Sequence, residues 1–326
     1  MTHANATAAS WPSFQPVPRW HSGAPAYCPG RWFVRWLLWP LLALTGASLA
    51  GLAITRNWDY GGIYSSFVFG TLGLLCLLEF VFPYRARWRM TLRSFFRDLK
   101  YFAANGVTIA AVNAGLGVFS ITLGAGASGP LSAAPVYVAV PVALLVFEFL
   151  NYWQHRAMHE LGGRAGAFLW RVHAAHHLPD RVYTLMHAAG HPLNTIVVRA
   201  GTMILPWYLL GLSPEALLLA NMINNLQGLV SHVNLDMRAS WANYVLVGTE
   251  LHRYHHSAVP GEGKNYAATL SLFDIVHGTF YYRPGVAPER LGVEKPEPYP
   301  TSFEFLKVMR LPFAGSLQRG AARRER

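Results

Sequence analysis

Fourteen histidines occur in the 326 residues, and most stand in three tight groups. His155 and His159 form H-R-A-M-H. His173, His176 and His177 form H-A-A-H-H. His252, His255 and His256 form H-R-Y-H-H. Spacings of three and four residues fall on one face of an α-helix, so each group is expected to aim all its imidazoles at one place. His232, in S-H-V-N, and His191, in G-H-P, add two more. A lone histidine is ordinarily structural. Imidazoles packed side by side repel when protonated and are costly to bury without a partner, so metal coordination is the economical explanation. One ion takes about four to six ligands, and this many imidazoles therefore suggest two ions.

The same residues exclude several chemistries. Cys28 and Cys76 lie far apart and neither belongs to a C-x-x-C pair, which removes a disulfide framework, a cysteine metal site and an iron–sulfur cluster. H-E-x-x-H is absent, and a catalytic zinc typically needs three protein ligands. Imidazole suits iron, copper, nickel and zinc alike, so ligand type alone leaves the metal open.

The elements that position these histidines are apolar. Only 13% of residues are charged, 52% are hydrophobic, and Lys plus Arg exceeds Asp plus Glu by 27 to 16, a net charge of +11. A disordered chain and an ordinary soluble enzyme are both poor fits. A basic excess with few charges and long apolar runs points to a membrane surface, not to nucleic acid. Four runs, 32–54, 63–82, 101–123 and 133–153, are each long enough for a membrane-spanning helix. The segment 84–100 carries Arg85, Arg87, Arg89, Arg93, Arg97 and Lys100 against Asp98. Positive segments stay on the cytoplasmic side, so the histidine groups are expected to face the cytoplasm. Stretches 195–212 and 214–230, joined through Gly211, Ser213 and Pro214, are expected to form a membrane hairpin; the first contains Arg199 and Pro206. The fold class is therefore all-α, a polytopic membrane protein with about four transmembrane helices, a membrane hairpin and a cytoplasmic helical cap holding the metals. The expected division is a flexible amino-terminal tail at 1–30, without the pattern of a cleavable signal peptide, transmembrane hairpins at 31–140, a catalytic domain at 141–282, and a Pro-rich, basic tail at 283–326.

The order H-x-x-x-H, H-x-x-H-H, H-x-x-H-H behind hydrophobic hairpins resembles the fatty acid hydroxylase/sterol desaturase superfamily. H-A-A-H-H-L-P-D-R-V-Y-T-L-M-H-A-A-G-H-P resembles the family's second cluster with its downstream His-Pro, S-H-V-N-L-D its H-x-N segment, and K-N-Y-A-A-T-L-S-L-F-D-I-V-H-G-T-F-Y the stretch that closes the domain. The likeness covers roughly 141–282. It implies a non-haem di-iron centre that uses O2 to oxidise an unactivated C–H of a membrane lipid, whether fatty acyl, sterol-like or polar, by hydroxylation or, with the same ligands, desaturation. Carried over by position, His155, His159, His173, His176, His177, His232, His252, His255 and His256 would be iron ligands, His191 a tenth ligand or its supporter, and Asn234 would orient His232 or a water. No catalytic side chain beyond the ligands is implied. His187 and His277 are assigned no role, and His3 and His21 lie in the amino-terminal tail.

Further polar residues support the site. Glu148 lies seven residues before His155 on the same helix face and is expected to accept the free N–H of a ligand imidazole. Asp274 and Asp180 flank the clusters as possible acceptors. Asn221, Asn224 and Asn225 step towards His232 and either line a polar route to the metals or join helices. Arg253 is expected to face head groups or a donor protein. Electrons are expected from a separate ferredoxin- or cytochrome-type protein on the basic face. In a different class, a metal-ion transporter would place ligands near the bilayer midplane. Arg156, Arg171 and Arg253 within or beside the clusters place these histidines at the interface instead. A bis-histidine haem protein would have no use for adjacent histidine pairs.

Overall fold

The computed structural model describes residues 28–122 and 129–314. Helices α1 (Pro29–Trp36), α2 (Leu38–Arg56), α3 (Tyr60–Val81) and α4 (Leu92–Thr122) precede α5 (Val136–Glu160) and α6 (Gly163–His177). Then follow α7 (Pro192–Leu210), π-helical over Ile196–Ile204, and α8 (Pro214–Ser231). The short helices α9 (Thr249–His255), α10 (Leu272–Val276) and α11 (Phe305–Arg310) complete the order. Among the described residues there is no strand, only isolated bridge pairs such as Pro83 with Leu235.

Local chemistry explains the boundaries. Asn57 adopts the left-handed conformation that ends α2, and the Asp59 carboxylate accepts the Gly61 and Gly62 N–H groups to start α3. Gly211, at φ 71, ends α7. Ser213 Oγ then accepts the Ala216 N–H, and Pro214 occupies the first turn of α8. Gly211, Ser213 and Pro214, the three residues named for the link within 195–230, thus end one helix and start the next.

Four helices are long and apolar enough to cross a membrane: α2, α3, α5 and α7. Their outer faces carry bare apolar side chains, including Leu44 at 62%, Phe69 at 58% and Leu77 at 61% exposure, as lipid contact requires. This defines a helical membrane protein. Three of them match expected runs, and α7 adds the first stretch expected at 195–212. Run 101–123 lies, up to Thr122, inside α4, whose first turns carry Arg93, Arg97, Asp98 and Lys100. Pro192, Leu193 and Asn194 extend α7 beyond the expected stretch.

The cores knit these helices together. Leu38, Leu42, Phe67 and Leu75 of α2 and α3 bury against Leu218, Met222 and Leu226 of α8. Ala139, Ala143 and Phe147 of α5 bury against Met203, Trp207 and Ala220. Packing therefore crosses the boundary expected near 140. It also crosses the one near 282: Leu291, Val308 and Leu311 are buried, and the Gly292 N–H donates to His256 O. Up to Ala314 this segment is docked, because its apolar residues find partners in the body of the protein. The 1–27 part of the amino-terminal tail and the 319–326 basic tail, with His3 and His21, lie outside the described residues.

Candidate metal centre

The helices deliver nine histidines to one place, in two abutting sets. His155, His159, His173, His177 and His255 form one. His176, His232, His252 and His256 form the other. Within each, one ring nitrogen per residue lies within 4.8 Å of all the others. The sets touch: the His177 and His256 rings are 4.6 Å apart, and those of His252 and His255 5.1 Å.

This corrects the expectation that each sequence cluster serves one place. On α6, His173 and His177 are four residues apart and share a face. His176 is rotated by about 100° from His177 and reaches the other set. On α9 the division is reversed: His252 and His256 go together, and His255 crosses over. An adjacent His-His pair is thus a device for feeding two neighbouring sites from one helix.

Helix placement follows from a tight α5–α6 link. Gly163 takes φ +73, and a Cβ on Gly166 would stand 1.6 Å from Leu161 O, so only glycine lets α6 fold back against the end of α5. His232 caps the carboxyl end of α8.

Five imidazoles have their tautomer fixed. The Nδ1–H of His155 donates to Tyr266 O at 2.7 Å, that of His176 to Ala189 O at 3.0 Å, and that of His232 to Gly228 O at 3.0 Å. Those of His173 and His255 donate to Asn194 Oδ1 and Lys264 O, both at 3.1 Å. A carbonyl only accepts, so these rings are protonated at Nδ1 and bare at Nε2. Yet the Nε2 atoms of His155 and His173 are 3.0 Å apart, and those of His176 and His232 3.1 Å. Lone pair faces lone pair. His159 Nε2 and His255 Nε2 are buried with no hydrogen-bond partner. Convergent, unprotonated, otherwise unsatisfied nitrogens are a donor set for cations, and the residues fit two metal ions.

Electrostatics agree. Burial, and then the neighbouring imidazoles, hold His173, His177, His252, His255 and His256 well below the ordinary imidazole range. Burial holds His176 down at about 4. The rings stay neutral and ready to ligate.

Other expected residues stand elsewhere. His191 joins neither set. Its Nδ1 accepts the Leu193 N–H and its Nε2–H donates to Met309 O, so both nitrogens are committed to capping α7 and holding α11. Asn234 does not touch His232. Its side chain pairs with the Arg85 backbone, and its own N–H donates to Glu79 Oε1. Glu148 accepts no imidazole. Its carboxylate receives three consecutive backbone N–H groups, from Ala268, Thr269 and Leu270, at 2.6 to 2.8 Å. Asp274 likewise receives the Tyr266 and Ala267 N–H groups and the Thr279 hydroxyl. Burial pushes its carboxyl up to about 6 against those three donors. Both acids act one step out, by fixing the backbone that carries Tyr266 O. Exposed Asp180 pairs with Arg181. Arg253 is buried, donates to Val233 O and Leu235 O, and lies 4.1 Å over the Tyr84 ring, so it faces neither head groups nor a donor. Two of the asparagines also join helices, Asn225 donating to Tyr64 OH and Asn224 to Met203 Sδ, while Asn221 donates to Leu217 O in its own helix. Sequence reasoning missed Asn194, which follows the noted His-Pro by two residues. It also missed His187, whose Nδ1 is 3.2 Å from that of His232, and Glu79, which gathers the Thr184 and Asn234 N–H groups. His277 stacks on Tyr152 away from both sets.

The described residues thus form a helical membrane protein with two convergent histidine sets whose donor atoms fit metal ions. Residues 140–279 match the family model described as fatty acid hydroxylase. The chain is 30% identical over 272 residues to ornithine lipid hydroxylase OlsE of Rhizobium tropici, covering 79% of this chain and 78% of that protein. It is 28% identical over 161 residues to very-long-chain aldehyde decarbonylase GL1-11 of Oryza sativa (48% and 58% covered). It is 26% identical over 143 residues to C-4 methylsterol oxidase erg25 of Schizosaccharomyces pombe (41% and 45% covered). No solved structure matches significantly. The chain belongs to the fatty acid hydroxylase family and is an oxidoreductase.

Proposed function

We propose that this protein is a membrane-bound di-iron oxygenase that hydroxylates a C–H of a lipid. O2 is the oxidant, and a separate ferredoxin- or cytochrome-type protein supplies two electrons. The observation that carries the reading is the convergence of nine neutral imidazoles into two sets with their bare nitrogens facing inwards. The ligands are then His155, His159, His173, His177 and His255 for one ion, and His176, His232, His252 and His256 for the other. Iron bound there supplies the activation of O2 that hydroxylation requires; the balance is R–H, O2, two electrons and two protons to R–OH and water.

The chain's own residues do the rest. Five carbonyl acceptors lock five of the nine rings with the proton on Nδ1 and Nε2 left bare. Glu148 and Asp274 hold the 266–270 backbone that carries one of those acceptors. Buried Tyr254, Leu251 and Met186 help to exclude water around the histidines. A lipid reaches the helix bundle without leaving the bilayer. Exposed Arg87, Arg89, Arg93 and Lys100 give an acidic donor a docking face, on the side proposed to be the cytoplasmic face of a bacterial inner membrane.

The test is metal content after purification in detergent, with iron, zinc and copper read together. Two irons per chain, lost in His255→Ala, with a cellular lipid one oxygen heavier only when the wild type is expressed, is the expected result. A chain that binds no metal after ferrous reconstitution, or a lipid profile unaltered by the iron-loaded protein, overturns the reading.

A further inference from the structure

Six charged residues lie in the four spanning helices, and five are accounted for. Arg56 is the last residue of α2. Glu79 and Glu148 accept backbone N–H groups. Arg156 pairs with Glu160. Arg199, in α7, is the exception. A guanidinium offers five N–H donors, yet its contacts are Met203 Sδ at 3.7 Å and Asn225 Oδ1 at 3.4 Å, both long and both neutral. No carboxylate pairs with it among the described residues.

Its direction is informative. An α-helical side chain ordinarily leans back towards the amino end, here the histidine end, and an arginine that merely snorkels would follow it to the interface. Arg199 instead reaches forward to Met203, four residues deeper into the span. It does so from the π-helical stretch Ile196–Ile204, a local irregularity that recurs at functional positions. Just before it on the same helix, Ile196 and Val197 are exposed at 40% and 38%, so α7 borders lipid near this position. A polar lane leads on from it to the metal centre. Asn225, bonded also to Tyr64 OH, stands seven residues before His232 on α8, about 10 Å at about 1.5 Å of rise per residue. Between them His187 reaches His232 over Gly228.

A cation left without an anion in an apolar span is costly, and such residues mark substrate pathways. We propose that Arg199 anchors an anionic group, a carboxylate or a phosphate, carried by the substrate lipid. The substrate class is then a lipid oxidised within about 10 Å of its anionic head group, not a neutral sterol or a mid-chain acyl carbon. This rests on the lipid-oxygenase reading and narrows it.

The test uses the full-length, metal-free protein in neutral-lipid nanodiscs, so it does not depend on turnover. The binding of an N-acyl amino acid is compared with that of its methyl ester, and that of phosphatidic acid with diacylglycerol. The wild type is expected to prefer at least one anion over its neutral partner by about tenfold or more. Arg199→Gln should abolish the preference, Arg199→Lys should keep part of it, and millimolar inorganic phosphate should not displace the lipid. Equal binding of both pairs by the wild type, which requires no variant to fold, overturns the proposal. So does an unchanged preference in Arg199→Gln. Displacement by inorganic phosphate overturns the lipid assignment. A portion of each preparation is then reconstituted with ferrous iron and its metal content read: iron binding with no anion preference sinks this inference and leaves the oxygenase, whereas a preference without iron binding sinks the oxygenase alone.

Discussion

His155 and His173 present bare nitrogens to each other at 3.0 Å because each has given its proton to an acceptor behind it. The acceptors behind the rings are therefore as much part of the metal site as the rings. Four of the five are backbone carbonyls, which every residue has, so no sequence pattern marks them. The fifth, Asn194 Oδ1, is the only one that a substitution can remove directly. Asn194→Ala should free His173 to take either tautomer and to rotate, and iron affinity should fall about 10- to 100-fold with the fold intact. Asn194→Asp restores an acceptor and should recover most of the loss. A chelator competition on the reconstituted protein reads both; equal affinity in Asn194→Ala and wild type would remove Asn194 from the site. His191 teaches the converse. A histidine in a family-like motif is committed at both nitrogens to other partners, and His191→Gln should bind iron like the wild type in the same assay.

At the scale of elements, the segment 264–270 is the frame of the centre. Lys264 O and Tyr266 O accept from two ligands of the first set, and two buried carboxylates on α5 and α10 gather the N–H groups between them. Glu148→Gln replaces one accepting oxygen with an amide NH2 that faces backbone donors. It should destabilise by about 2 kcal/mol and weaken iron binding together, measured as the loss of Tm in detergent and of metal per chain. The α5–α6 link is stricter. Gly166→Ala cannot be accommodated beside Leu161 O, and its outcome should be the loss of folded monodisperse protein on size exclusion. Much of this scale was legible in advance. The helix runs follow from apolar length, the break at 211–214 from Gly-x-Ser-Pro, and eight of the nine converging histidines from i, i+3 and i+4 spacing, with His232 noted beside them. What escaped was the use of the polar residues between them. Glu148 and Asp274 have the charge and position to serve imidazoles, but their oxygens are taken by N–H groups over one hundred residues away for Glu148 and on a neighbouring loop for Asp274, pairings that only tertiary structure reveals. The adjacent histidine pairs were seen, but their division between two sites depends on two helices facing each other across the centre.

For the molecule as a whole, the outside is apolar for lipid and the inside holds neutral imidazoles, and this combination makes stability depend on pH. In the unfolded chain each histidine takes up a proton near its ordinary value of 6.5. In the folded, metal-free protein His176 does so only at about 4, because its ring is buried, and His173, His177, His252, His255 and His256 are also lowered. Between those values the unfolded state binds more protons, so stability rises with pH and falls as pH is lowered through 6.5 towards 4. His176 alone accounts for about 3 kcal/mol across the window, at about 1.4 kcal/mol per pKa unit. The other rings add in the same direction. The metal-free protein should therefore show a flat Tm above about pH 7 and a steep decline below 6.5. Iron should raise the whole curve at neutral pH, since it binds the folded state. Below pH 6.5 the gain should shrink as protons compete for the same nitrogens. A Tm independent of pH between 7 and 5 in the metal-free protein would mean that the imidazoles are not held neutral by burial, and the convergence of bare nitrogens would lose its electrostatic basis.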